Sequence, residues 1–127
     1  MVKIMVVDDD SDVVTSIKLG LNRLSKRYEV IGATNGEECF ELLNRGLDPD
    51  LIILDIMMPG MDGWEVFDEL KNSNDWVDIP IIFLTALNDR ETLKKGMETN
   101  TYCIKKPFEI NDLKDKIERV LSGDSFF

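Results

Sequence analysis

The chain has 127 residues, enough for one domain with one sizeable core. Its net charge of −10, from 25 acidic and 15 basic residues, argues against direct contact with nucleic acid, and no apolar run approaches the roughly 18 residues of a membrane helix. There is no histidine, which excludes His-based triads, His metal ligands and self-phosphorylation on histidine; Cys39 and Cys103 read as reduced thiols of a cytoplasmic protein with no leader peptide.

The first apolar run, Lys3 to Val7, is a strand that ends in Asp8-Asp9-Asp10. From Ser11 to about Ser25, Val13, Val14, Ile17, Leu21 and Leu24 recur at helical spacing. Ser11 or Asp10 caps that helix, and Asp12 suits its first turn. Tyr28 to Thr34 is a second strand, Asn35-Gly36 turns the chain, and Glu37 to Arg45 is a short helix with Gly46 at its C′ position. Leu51-Ile-Ile-Leu-Asp55 has the continuous apolar pattern of a strand buried on both faces, and Pro59, Gly60 and Gly63 stop it. A third helix runs from Trp64 to about Asn72, and a fourth strand from Ile81 to Leu84, ending at Thr85. A weaker helix over 90–97 is interrupted by Gly96; Tyr102 to Lys105 is a fifth strand, followed by Lys106-Pro107. The last helix spans Asn111 to Ser122, with Leu113, Ile117, Val120 and Leu121 on one face. Residues 122–127 read as a frayed tail or the stub of a linker, outside a core of about 3–121; the whole chain is one domain.

Strands that alternate with helices at these loop lengths imply an α/β fold, with a parallel sheet and helices on both faces. In such a sheet the carboxyl ends of the strands lie on one edge, where ligands bind. Asp8, Asp9, Asp55 and Thr85 all stand at those ends, with Lys106 just past the fifth strand. Three carboxylates in one pocket repel, and a hard divalent cation relieves the repulsion; oxygen donors without His or paired Cys suit Mg²⁺ rather than zinc. The cation clamps phosphoryl oxygens, Lys106 neutralises further charge, Thr85 donates a hydrogen bond, and Asp55 acts as nucleophile to form an acyl phosphate. A turn-capping role for Asp55 and a helix-capping role for the Asp8–Asp10 cluster are the competing readings. A calcium loop starting at Asp8 fails, because Val13 stands where Gly is needed and Leu19 where Glu is needed.

Four segments together, Val6-Val-Asp8-Asp9-Asp10, Leu54-Asp55-Ile-Met-Met-Pro59-Gly-Met-Asp62-Gly63, Leu84-Thr85-Ala86 and Lys106-Pro107-Phe108, resemble in order and spacing the receiver domain of two-component response regulators. The resemblance covers residues 3 to about 121 and implies a doubly wound, flavodoxin-like sheet of five parallel strands in the order 2-1-3-4-5. It implies that Asp55 is the phosphoacceptor, that Asp8 and Asp9 are the acidic metal pair with Asp9 the direct ligand, and that the Met57 backbone carbonyl completes the protein's Mg²⁺ ligands. It further implies that Thr85 is the switch hydroxyl, Lys106 the phosphate-contacting lysine and Lys106-Pro107 a cis bond. Met57 and Leu87, two residues past Asp55 and Thr85, are apolar, which implies a long-lived phosphoryl group. The family's aromatic residue three before the lysine falls on Cys103 here, with Tyr102 beside it.

The partner so implied is a sensor histidine kinase or histidine phosphotransfer protein, which supplies the phosphohistidine this chain lacks. Phosphorylation biases a surface formed by the fourth predicted helix, the fifth strand and the last helix, and a phosphorylation-dependent dimer is left open. Transfer and hydrolysis are partly self-catalysed without making the chain an enzyme. The alternative is a Mg²⁺-dependent phosphatase or phosphotransferase with an aspartyl nucleophile, a class that brings a second domain or cap.

Overall fold

The computed structural model of the chain describes residues 1–86, 94, 95, 97, 98 and 101–123. In chain order the elements are β1 (Val2–Val7), α1 (Ser11–Leu24), β2 (Tyr28–Ala33), α2 (Gly36–Asn44), β3 (Leu51–Asp55), α3 (Gly63–Lys71), β4 (Ile81–Thr85), β5 (Tyr102–Lys105) and α4 (Ile110–Leu121). All five strands pair in parallel, in the order β2-β1-β3-β4-β5. The helix expected over 90–97 lies largely outside the described residues, of which Lys94, Lys95 and Met97 are helical. Residues 124–127 of the expected tail also lie outside them.

The alternation of side chains along a strand builds two cores, one on each face of the sheet. Met5, Val7, Ile52, Leu54, Ile81 and Phe83 point to one face and pack with Cys39, Leu43, Val66, Phe67 and Leu70 from α2 and α3. Ile4, Val6, Leu51, Ile53, Ile82 and Leu84 point to the other and pack with Ile17 and Leu21 of α1 and Leu113 and Ile117 of α4. β3 and β4 are apolar at every position before their last residue because both faces are covered.

Local side-chain chemistry sets the element ends, and it moves several by a residue from their expected places. β2 stops at Ala33 because the Thr34 N–H turns to the Glu38 carboxylate, at 3.0 Å. α2 starts at Gly36 because the Asn35 side chain accepts the Glu38 N–H at 2.8 Å. It ends in a Schellman motif: the Leu47 N–H reaches Leu42 O and the Gly46 N–H reaches Leu43 O, with Gly46 at φ +102° as the C′ residue. α3 starts at Gly63 because Asp62 and Glu65 form a reciprocal capping box.

Gly63 also does something no capping rule requires. A Cβ there would collide with the Asp55 carbonyl oxygen and would stand 2.6 Å from Ile56 Cα, so α3 starts flush against the chain leaving β3. The Gly63 N–H donates to Ile56 O at 2.9 Å and fixes the approach. Both obstacles are backbone and cannot rotate aside. Gly63→Ala is expected to lose about 3 kcal/mol, the upper end for overpacking, and to disturb the loop after Asp55. Chemical denaturation checks this; a loss below about 1 kcal/mol would mean the loop yields easily.

Candidate functional site

Asp8, the residue after β1, is fully buried. Its N–H pairs with Ala33 O at 3.0 Å, and its Oδ1 accepts the Asp10 N–H at 2.9 Å. Asp10 supplies the helix cap, its side chain accepting the Asp12 N–H at 2.9 Å. The acidic cluster is therefore divided: Asp10 caps α1, while Asp8 and the exposed Asp9 are left at the crevice. Asp55 closes β3 with 3% of its surface exposed, and its carboxylate accepts the Met57 N–H. Thr85 closes β4, equally buried. The Lys106 N–H donates to Thr85 O at 2.7 Å, which carries the sheet pairing one residue past β5. Lys106-Pro107 is cis.

Carboxylate oxygens of Asp8, Asp9 and Asp55 all lie within 4.8 Å of one another. Lys106 reaches across from the fifth strand, its Nζ 2.8 Å from Asp8 Oδ2 and 3.4 Å from Asp55 Oδ1. Burial first, and then the Asp8 charge, push the Asp55 carboxyl up to about 6, while Lys106 and the Met57 N–H pull the other way. Burial opposes charge on Lys106, but its hydrogen bond to Asp8 and the charges of Asp55 and Asp8 outweigh that and raise its pKa. One ammonium among three clustered carboxylates leaves an excess of negative charge. The donors are hard oxygens in a pocket open on the Asp9 side, so the residues fit a divalent cation that keeps several waters.

The structure thus brings together Asp8, Asp9, Asp55, Thr85 and Lys106 at one sheet edge, with Met57 at its rim; Leu87 lies outside the described residues. Two features escape the sequence. The pairing of Lys106 with Asp8, 98 residues away, is visible only once β1, β3 and β5 are in place. The clamp of Gly63 on Asp55 gives no signal beyond a glycine in a turn. Cys103 and Tyr102 separate cleanly: Cys103 pairs with Phe83 in the sheet and packs on the α2–α3 side, whereas Tyr102 packs on the α1–α4 side.

Comparison with known proteins is consistent with this geometry. The model of the response regulator receiver domain family matches residues 4–118. Probable transcriptional regulator ycf27 of Porphyridium aerugineum is 37% identical over 94% of the chain, and transcriptional regulatory protein CrdR of Helicobacter pylori 36% identical over 96%. The chain covers 48% and 56% of those relatives, so it spans about half the length of the curated relatives it matches. Among solved structures, the receiver domain of Francisella response regulator 1452 is similar with a TM-score of 0.84 at 27% identity, covering 97% of this chain and 98% of that one. The N-terminal domain of a response regulator receiver protein from Methanoculleus marisnigri is similar with a TM-score of 0.73 at 39% identity, covering 94% and 96%.

Proposed function

The chain belongs to the response regulator receiver domain family, and from that premise we propose that Asp55 is the residue that takes the phosphoryl group. The observation that carries this reading is the Asp55 carboxylate, buried at a strand end with an ammonium at 3.4 Å and two further carboxylates beside it. Asp55 attacks phosphorus, the P–N bond to the donor imidazole breaks, and the imidazole leaves neutral once protonated. Lys106 holds an ammonium against the incoming oxygens, and the Thr85 hydroxyl donates to one of them. Mg²⁺ would be held by Asp8, Asp9, Asp55 and the Met57 carbonyl, and supplies charge neutralisation on the phosphoryl oxygens. The donor is a phosphohistidine on a sensor kinase or phosphotransfer protein, since this chain has no histidine.

The consequence of phosphorylation is a shift between two states of the surface around β5 and α4, through the differential contact of Thr85 with phosphate. Residues 1–127 act as one domain in the cytoplasm; among the described residues no helix is long and apolar enough to cross a membrane. The role in transcription that the relatives' names carry is a property of those proteins. With a net charge of −10, this chain acts through protein contacts rather than as a DNA-binding surface.

A receiver takes up one phosphoryl group and does not turn over phosphomonoesters. Sustained release of phosphate from a small aryl phosphate would instead favour the aspartyl-phosphatase alternative, which no feature of the site favours. The metal assignment has its own test. Asp9 is exposed and close to Asp8 and Asp55, so Asp9→Ala removes repulsion and a ligand together. It is expected to melt above the parent in chelator and to gain little from Mg²⁺, while the parent gains about 1.4 kcal/mol at tenfold its dissociation constant. Melting curves at fixed ionic strength decide this. An Asp9→Ala protein that responds to Mg²⁺ as the parent does places the cation elsewhere.

A further inference from the structure

Three of the chain's six methionines lie in the loop that follows Asp55. Met58 is buried and Met61 half-buried, both packed into the α2–α3 core. Met57 differs: its side chain packs into neither core, and the residue is 60% exposed. Its backbone is nonetheless part of the site, since its N–H donates to the Asp55 carboxylate. An accessible thioether is therefore carried by the residue whose backbone N–H touches the phosphoacceptor.

We propose that Met57 is an oxidation site through which a hydroperoxide shortens the lifetime of the phosphoryl group on Asp55. The inference rests on the reading of Asp55 as phosphoacceptor. The Met57 sulfur attacks the peroxide O–O bond; a sulfur–oxygen bond forms, the O–O bond breaks, and water or an alcohol leaves. Sulfur is oxidised by two electrons and the peroxide reduced by two. The change is large in polarity, because a thioether is a weak acceptor and a sulfoxide a polar one. Hydrolysis of the acyl phosphate needs a water aimed at phosphorus. An apolar side chain at the rim cannot aim it, whereas a sulfoxide oxygen accepts one of its O–H groups. The water oxygen then bonds to phosphorus, the bond from phosphorus to the Asp55 oxygen breaks, and inorganic phosphate leaves with the carboxylate restored. The effect is reversible, since methionine sulfoxide is reducible enzymatically.

The test phosphorylates the protein with acetyl phosphate and Mg²⁺ after mild hydrogen peroxide treatment, removes the donor, and follows loss of the phosphoryl group by intact mass. Peptide mapping locates the added oxygen. Oxidised parent protein is expected to lose phosphate on the order of tenfold faster than untreated, short of the hundredfold or more that a positioned general base supplies. Met57→Leu keeps Met1 and Met97, exposed by 83% and 58%, and its treated and untreated samples are expected to decay at one rate. Equal decay of treated and untreated parent overturns the proposal. So does the same acceleration in Met57→Leu, or a map without oxygen on Met57. If no sample takes up phosphate at all, it is the phosphoacceptor reading that falls, and this inference with it.

Discussion

Lys106→Met is expected to destabilise the metal-free domain by about 3 kcal/mol at neutral pH. Lys106 is the cation paired with Asp8, a fully buried carboxylate, at 2.8 Å, and it also stands 3.4 Å from Asp55. Methionine keeps most of the stem and removes the charge. What remains is two buried carboxylates facing each other with Asp9 alongside. Breaking a buried pair by deleting one partner costs about 3–5 kcal/mol; the lower end applies because a fifth of the Lys106 side chain, 21%, is exposed. Urea denaturation in chelator measures it. Restoring charge balance with Asp8→Asn in the same chain should recover much of the loss, giving a large coupling in the double-mutant cycle. A loss below about 1 kcal/mol, or strict additivity, would mean that water and not Lys106 satisfies Asp8.

The second large effect has the opposite sign. Asp55→Asn is expected to be more stable than the parent without metal, by about 2 kcal/mol at pH 7. The sign follows from the raised pKa of Asp55, about 6 against an ordinary 3.8. Between these values the folded state holds the proton more tightly than the unfolded chain. Parent stability from this group is therefore whole below pH 4 and is lost as pH rises through 6. Asparagine presents nearly the same shape without the titration. The advantage of the variant should shrink toward zero at pH 4 and reach its full size at pH 7. Denaturation at several pH values in chelator checks the trend. A variant less stable than the parent at pH 7 would make Asp55 a net structural partner of Lys106 rather than a carboxylate held at a cost for its chemistry.

Much of this architecture is legible in the chain itself. The runs ending at Val7, Asp55 and Thr85 are apolar enough to announce buried parallel strands, and the turn residues after them mark where the edge lies. Once the strands are parallel, Asp8, Asp55 and Thr85 must share that edge, so the site follows from topology more than from any single motif. The misses have physical causes. Element ends shift by a residue where a side chain such as Glu38 or Asp62 competes for backbone N–H groups, a contest that spacing alone does not settle. The partner of Lys106 is set by three strands converging, and a lysine in sequence looks the same whether solvated or clamped. The division of Cys103 from Tyr102 is a matter of strand register: a single step moves a side chain across the sheet. Gly63 carries no sign in sequence of the backbone that it lets past.

The central claim is that Asp55 is the acceptor, and the intact mass of the protein after incubation with acetyl phosphate and Mg²⁺ tests it most directly. The parent is expected to gain a single phosphoryl group and to lose it when the donor is removed and time allowed. Asp55→Asn, its folded state checked by the same denaturation curves, is expected to gain none. An unmodified parent, or an Asp55→Asn protein that gains the phosphoryl group as readily, would contradict the account.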